Sequence, residues 1–393
     1  MQRTLRFQLS PTLEQAAALL DTLRLHTACF NAVAAYGWEQ HEKNGVTLHK
    51  ATYYQLREQY PTLPAQLVVA ARMRATEAVK SALTRAKRGK KAKQPTSTLT
   101  PIRYDQRSYT PHLSEGIVSL ATTGGRQEVA LRLYPYAAAM LARAADLDSA
   151  DLLYRKGRFW LHVVLTLPTP EVSFSNEMVG VDFGITRPAV SSNNRFFGKR
   201  SWKNVERRYF RLKRALQSKG TPSAKRHLKK LARKVQRFRT DCDHVVSRRI
   251  VQSVLPGTTL VVENLDEIRK RTKQNSKIQR RAMHQWSFRR LKDFLSYKAQ
   301  EAGCVVVGID PRHTSQRCSR CGHTHRSNRR SQSRFACRAC GFELNADLNG
   351  SRNIAFKYRA GSGTPVASGR PVNPPIVASE LGESSASATS FLL

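Results

Sequence analysis

Four cysteines stand in two pairs, Cys318-x2-Cys321 and Cys337-x2-Cys340, with fifteen residues between the pairs. Each CxxC turn can present two thiolates to one ion, and two such turns complete a tetrahedron at about 2.3 Å per Zn–S bond. Four thiolates leave no open position, so the spacing predicts a structural zinc ribbon rather than a catalytic zinc. His323 and His325 are alternative ligands by type, but they read as solvated loop residues. Seven residues beyond the second pair comes Asp347, an acid in a chain that is otherwise poor in them.

Two more acids share that setting. Asp182 lies in the apolar run "VGVDFGI" and Glu263 ends the run "LVVEN". A carboxylate in an apolar strand is costly unless something positive holds it. Hard oxygen ligands of this kind suit Mg²⁺, which keeps several waters and takes few protein carboxylates. Singly, each acid is a weak signal, since an isolated strand-end acid is more often a cap or an ion-pair partner. The three are far apart in sequence, so only the fold can make them a set.

Composition points to the substrate class. Lys and Arg number 67 against 28 Asp and Glu, a formal charge of +39 over 393 residues. An excess of this size predicts a polyanionic partner, and nucleic acid fits better than a membrane. The longest apolar runs, such as "LVVAA" at 67–71, are too short to cross a bilayer. The N-terminal "MQRTLRFQLSP" has no apolar core of a secretory signal. Cys29, Cys242 and Cys304 lie outside the CxxC pairs and read as ordinary small buried residues.

The elements that must position these groups follow from periodicity. Residues 3–9 alternate as a strand; Thr12 and Gln15 offer a capping box, and a helical pattern runs from there to about 88. Segments within 116–167 are short, β-rich and broken by turn signals such as Gly124-Gly125. Residues 1–10 and 110–170 are therefore expected to form a β-barrel, with 11–109 as a helical insert. Strands are expected around Asp182, at "TTLVVENL" and at "CVVVGID", the last after a helix "FRRLKDFLSYKAQEAG".

Residues 199–239 predict two helices carrying 17 Lys or Arg against one acid, Glu206. Lys199, Arg200, Lys203, Arg207 and Arg211 on the first, with Lys229, Lys230, Arg233 and Arg237 on the second, are expected to grip nucleic-acid backbones. Arg269, Lys270, Arg280 and Arg281, in the lid-like "EIRKRTKQNSKIQRR", join them. Trp286 and Phe288 read either as base-stacking rings or as core. The stretch from 357 to 393 is rich in Gly, Pro, Ser and Ala and is expected to be a disordered tail.

The runs "VGVDFGI", "VVENL", "SFRRLKDFLSYKAQEAG", "PRHTSQRCSRCG" and "CGFELNADLNGSRNIA" occur in the order found in TnpB proteins. The chain thus resembles these transposon-encoded RNA-guided nucleases, relatives of type V CRISPR effectors and of the eukaryotic Fanzor proteins, firmly over about 175–355. The resemblance implies an α+β multidomain architecture. An RNase H-like RuvC nuclease domain would occupy 175–312 and 343–356, with the zinc ribbon inserted at 313–342. The N-terminal β-barrel would be a wedge domain carrying a helical recognition insert.

By the same resemblance Asp182, Glu263 and Asp347 are catalytic carboxylates, binding two Mg²⁺ ions for phosphodiester hydrolysis. The implied partners are a guide RNA from the transposon end and double-stranded target DNA, with the protein reading a short motif beside the target. Thr52, Gln66, Ser108 and Tyr109 are the candidates for reading that motif. A monomer in a prokaryotic cytoplasm, associated with the nucleoid, is the implied state. The chain departs from the family pattern at Asn345, often Asp, and at Gly350-Ser351, often two alanines. The first change loses an accessory acid, and the second is expected to loosen the local helix by about 1 kcal/mol. Two other readings stay open: a catalytically silent RNA-guided DNA binder and an RNA-independent zinc-ribbon transposase.

Overall fold

Leu5 and Phe7, spaced two apart on strand β1 (Gln2–Gln8), point into one core while their neighbours face out. The computed structural model describes residues 1–170, 175, 177–266, 268, 276–331 and 333–362. It divides into two units, the first spanning Met1–Pro168 and the second beginning at Thr169.

In the first unit α1 (Leu13–Glu39) starts with the expected capping box: Gln15 N donates to Thr12 Oγ1 at 3.2 Å, and Thr12 N to Gln15 Oε1 at 3.1 Å. Helices α2 (Gly45–Gln59) and α3 (Ala65–Lys87) pack with it. Seven strands in all make two antiparallel sheets. The others are β2 (Ile102–Tyr104), β3 (Tyr109–His112), β4 (Ile117–Thr122), β5 (Gly125–Ala130), β6 (Asp146–Arg155) and β7 (Arg158–Thr166). One sheet has the order β1-β7-β6-β2 and the other β3-β4-β5, with a bridge between Leu9 and Leu131 linking them. Both sheets and the helices share one apolar core.

Two local expectations change. β2 lies inside 11–109, the region assigned to a helical insert, but beyond the helical pattern that ends near 88; a three-residue strand is made by its partner β6, and periodicity cannot reveal it. The β-rich run after Glu128 ends at Ala130, and Pro135 opens a short helix, α4 (Pro135–Leu141), at its first turn.

The second unit is built on a five-stranded sheet. Its strands are β8 (Met178–Asp182), β9 (Ala189–Ser191), β10 (Arg195–Phe197), β11 (Thr259–Glu263) and β12 (Val305–Ile309), in the order β10-β9-β8-β11-β12. β8, β11 and β12 run parallel; β9 and β10 are antiparallel. Alternation along β11 sends Leu260 and Val262 to one face and Val261 to the other. Before β11 come α5 (Arg200–Lys219) and α6 (Pro222–Val251); after it come α7 (Lys277–Gln285) and α8 (Phe288–Glu301). Val246 and Ile250 of α6 and Leu291 and Leu295 of α8 cover the Leu260 face.

The second basic helix is longer than expected, reaching Val251 rather than ending near 239. Its extension buries Asp243, which pairs with Arg290 at 2.7 Å and accepts from Ser287 Oγ at 3.0 Å. After β12 a hairpin, β13 (Arg334–Ala336) with β14 (Glu343–Asn345), leads into α9 (Ala346–Lys357). Ile354 of α9 covers the other sheet face, with Val261 and Ile309.

Gly180 allows α9 to lie directly on β8. A Cβ there would sit 2.1 Å from Ser351 O and 2.7 Å from Ala355 N, both backbone atoms. Gly180→Ala is therefore expected to cost at least about 2 kcal/mol, as an overpacked core does. A thermal midpoint lowered by several degrees is the expected result; an unchanged one would mean that helix and strand can separate freely.

Residues 357–362, expected to belong to a disordered tail, are ordered. Lys357 Nζ donates to Asp310 O at 2.8 Å, Tyr358 packs on the Val261–Ile309–Ile354 cluster, and a further turn, Tyr358–Ser362, follows with Gly361 at a left-handed φ of 79°. Residues 363–393 lie outside the described residues.

Candidate functional site

Asp182 and Glu263 are the last residues of β8 and β11, neighbouring parallel strands in which Val181 pairs with Val262. That register places the two carboxylates side by side at the C-terminal ends of two inner strands. Asp347 reaches them from the first turn of α9, which lies on β8. Asn345 caps this helix: its Oδ1 accepts from Asp347 N and Leu348 N, both at 3.1 Å. The residue standing where relatives often have an acid is therefore the one that fixes the backbone of Asp347.

The electrostatics record the crowding. Burial, then the charges of Glu263 and Asp347, push the Asp182 carboxyl well above the usual carboxylate range. Glu263 and Asp347 are raised too, by burial in both cases. Gly350 makes room for this cluster, since a Cβ there would lie 2.9 Å from Asp182 Oδ2. Two polar neighbours partly offset the repulsion: the Thr314 hydroxyl donates to Glu263 Oε1, and Arg329 Nη2 lies 3.4 Å from Asp347 Oδ1. Neither was singled out from sequence. Arg329 sits in the basic run "RSNRR" and Thr314 in a polar loop, where residue type alone carries no distinguishing signal.

Three hard oxygen donors with too little positive charge between them fit divalent cations. They do not surround a single point, however. Among the described residues, only the four cysteines bring three or more such ligand atoms all within 4.8 Å of one another.

Those cysteines could hold a zinc ion. Sγ of Cys318 is 3.8 Å from that of Cys340, and Sγ of Cys321 is 3.6 Å from that of Cys337. A tetrahedron with Zn–S bonds of about 2.3 Å has edges of about 3.8 Å, so the sulfurs already stand at the required separation. The two knuckles repeat one backbone pattern. Cys318 N donates to His323 O and Gly322 N to Cys318 O, while Cys337 N donates to Phe342 O and Gly341 N to Cys337 O. Gly322 and Gly341 close these turns at φ of 82° and 67°. Burial raises the Cys337 thiol, but N–H groups of Cys340 and Ala339 outweigh it and bring the thiol down to about 7. His323 and His325 take no part; their rings stack on each other at 6.3 Å.

The basic helices present their charge outward. Lys199, Arg200, Arg207, Arg211, Lys229, Lys230, Arg233 and Arg237 are all exposed, and α5 buries no side chain. Lys203 is an exception, because its ammonium donates to Ile185 O at 2.7 Å and faces Glu206. Arg280 is exposed; Arg281 lies over the Phe210 ring at 3.7 Å, so it ties α7 to α5. Arg269 and Lys270 lie outside the described residues. Trp286 and Phe288 pack on each other and on the core of the second unit, the core alternative of the two.

The four motif-reading candidates all make bonds within the first unit. Thr52 is buried and returns its hydroxyl to Leu48 O. Gln66 donates to Asp105, and buried Ser108 closes the same turn by bonding Asp105. Tyr109 is buried with its hydroxyl on Asp148 O. Thr52, Ser108 and Tyr109 are thus buried with their hydroxyls engaged, whereas Gln66 is half-buried.

Comparison with known proteins places this arrangement. A family model described as "Probable transposase" (OrfB_IS605) matches residues 162–269, and one described as "Cas12f1-like, TNB domain" matches 288–354. The "Putative RNA-guided DNA endonuclease InsQ" of Escherichia coli K12 is 32% identical over 216 residues, covering 50% of this chain and 54% of that one. These matches are consistent with the TnpB family. The chain's similarity extends to the CRISPR-associated endodeoxyribonuclease Cas12f1 of Sulfoacidibacillus thermotolerans, 41% identical over 131 residues, covering 33% of this chain and 29% of that one. The chain spans about half or less of the length of these curated relatives. The fold agrees with the cryo-EM structure of a Cas12f1–sgRNA–target DNA complex at a TM-score of 0.55 and 15% identity, covering 90% of this chain and 98% of that one.

Proposed function

We propose that this chain is a TnpB-family protein, an RNA-guided, Mg²⁺-dependent DNA endonuclease of a transposable element. The observation that carries the reading is the convergence of Asp182, Glu263 and Asp347. They come from distant parts of the sequence, yet sit on adjoining strand ends and a helix start, each raised by burial. The sheet order, with parallel β8, β11 and β12 extended by antiparallel β9 and β10, suits an RNase H-like RuvC domain. The four-cysteine ribbon would be its zinc-bound structural insertion, and the sheets and helices of the first unit its wedge and recognition parts.

Asp182, Glu263 and Asp347 would hold Mg²⁺, which when bound supplies an activated water and neutralises charge on the departing 3′ oxygen. Arg329 would keep a positive group beside the reacting phosphate. Exposed Lys and Arg on α5 and α6 would bind phosphates without regard to base identity, while RNA–DNA pairing supplies the sequence. The functional unit would be a monomer bound to guide RNA and double-stranded target DNA, in a prokaryotic cytoplasm and on the nucleoid. No helix of the described residues is long and apolar enough to cross a membrane.

The RNA that copurifies with the full chain tests this directly. Sequencing is expected to return one discrete species with a constant part and a guide at its end. A random sample of cellular RNA, or none, would contradict the reading and favour RNA-independent transposase chemistry.

A further inference from the structure

The loop that links β12 to the zinc knuckles carries a group aimed at the acidic cluster. Thr314 is buried, and its Oγ1 donates to Glu263 Oε1 while lying 2.9 Å from Pro311 O. A single hydroxyl proton near two oxygens favours the charged acceptor, so the bond is directed at the carboxylate. A glutamate has three side-chain torsions to fix, and this bond anchors one oxygen and leaves Oε2 unconstrained by Thr314.

The loop is itself held in place. Asn353 Nδ2, on α9, donates to Thr314 O at 2.8 Å and to Arg317 O at 2.6 Å. One turn earlier Asn349 Nδ2 donates to Arg317 O at 2.8 Å, and its Oδ1 accepts from Ser319 N at 3.0 Å. Asn349 and Asn353 are both buried, and they share one face of the helix that delivers Asp347. The helix that carries one acid therefore also fixes the loop that orients another.

We infer that Thr314 is a positioning residue that orients Glu263 for metal binding, with Asn353 holding its backbone in register with α9. This rests on the reading of Glu263 as a metal ligand. Partners of ligands that sit one bond away from an ion commonly govern affinity by about 10–100-fold. Thr314→Val keeps the shape and removes the donor, whereas Thr314→Ser keeps the donor.

The test is a titration of the zinc-loaded full chain with Mn²⁺, following the free ion by electron paramagnetic resonance. Thr314→Val is expected to weaken binding about tenfold, with zinc content and thermal midpoint kept, and Thr314→Ser to bind within about twofold of the unchanged protein. In cleavage the same loss should appear as a higher Mg²⁺ requirement, largely recovered at saturating ion. Glu263→Gln serves as the reference. If it weakens Mn²⁺ and Thr314→Val does not, the positioning role is wrong while the metal reading stands. If Glu263→Gln binds Mn²⁺ like the unchanged protein, the metal reading fails and this inference with it. Loss of zinc or of folding in Thr314→Val would assign Thr314 to the scaffold and overturn the role proposed for it.

Discussion

Asp182→Ala is expected to cut target DNA at least about a thousandfold more slowly while still binding it in the presence of RNA. The loss corresponds to about 4 kcal/mol of transition-state stabilisation, the scale of one metal–ligand contact. Binding should survive because the exposed basic residues of α5 and α6 do not depend on this carboxylate. A second readout carries the opposite sign. Asp182 is raised above its unfolded value, so its ionisation costs stability as the pH rises through the folded value. Asp182→Asn should therefore raise the thermal midpoint of metal-free protein at neutral pH while abolishing cleavage. A variant that cuts normally, or that is destabilised without metal, would show that Asp182 is a structural acid.

Cys337→Ser is expected to release the zinc and unfold the ribbon. Structural zinc contributes on the order of 10–16 kcal/mol to small four-ligand sites, as much as the whole stability of many domains. The consequences should not stop at the hairpin. Asn349 and Asn353 tie the first knuckle and the loop before it to α9, the helix that starts with Asp347. Atomic absorption should find close to one zinc per unchanged chain and well under one in the variant, together with loss of cleavage. A stable, active Cys337→Ser protein without zinc would contradict both the ribbon and its coupling to the acids.

The four-cysteine cluster was legible because thiolate spacing encodes geometry directly: two CxxC pairs at this separation can converge on one ion. The trio was legible only in part. Nothing in "VGVDFGI" or "LVVEN" says that β8 and β11 are neighbours in parallel, and it is that pairing which sets Asp182 beside Glu263. The family resemblance supplied what periodicity could not. Asn345 was weighed only as a lost acid, because its role as a cap depends on where α9 begins. Gly350 was weighed only as a poor helix former, though its missing Cβ leaves space for the Asp182 carboxylate. The bonds made by Thr52, Gln66, Ser108 and Tyr109 were hidden for a related reason. A polar side chain in a loop or helix looks available until its hydrogen-bond partner is seen. Arg329 and Thr314 lie in stretches full of similar residues, so only their distances to Asp347 and Glu263 pick them out.

The most direct measurement is cleavage of a plasmid library, randomised beside a fixed target, at near-physiological salt with Mg²⁺. Full-length protein coexpressed with its transposon-end RNA would be compared with protein freed of RNA. The RNA-bound protein is expected to cut both strands at one site, only in plasmids carrying a particular short flanking motif. The RNA-free protein, with its +39 charge, should bind DNA without sequence preference and leave it intact. Equal, site-specific cutting by the RNA-free protein would contradict RNA guidance.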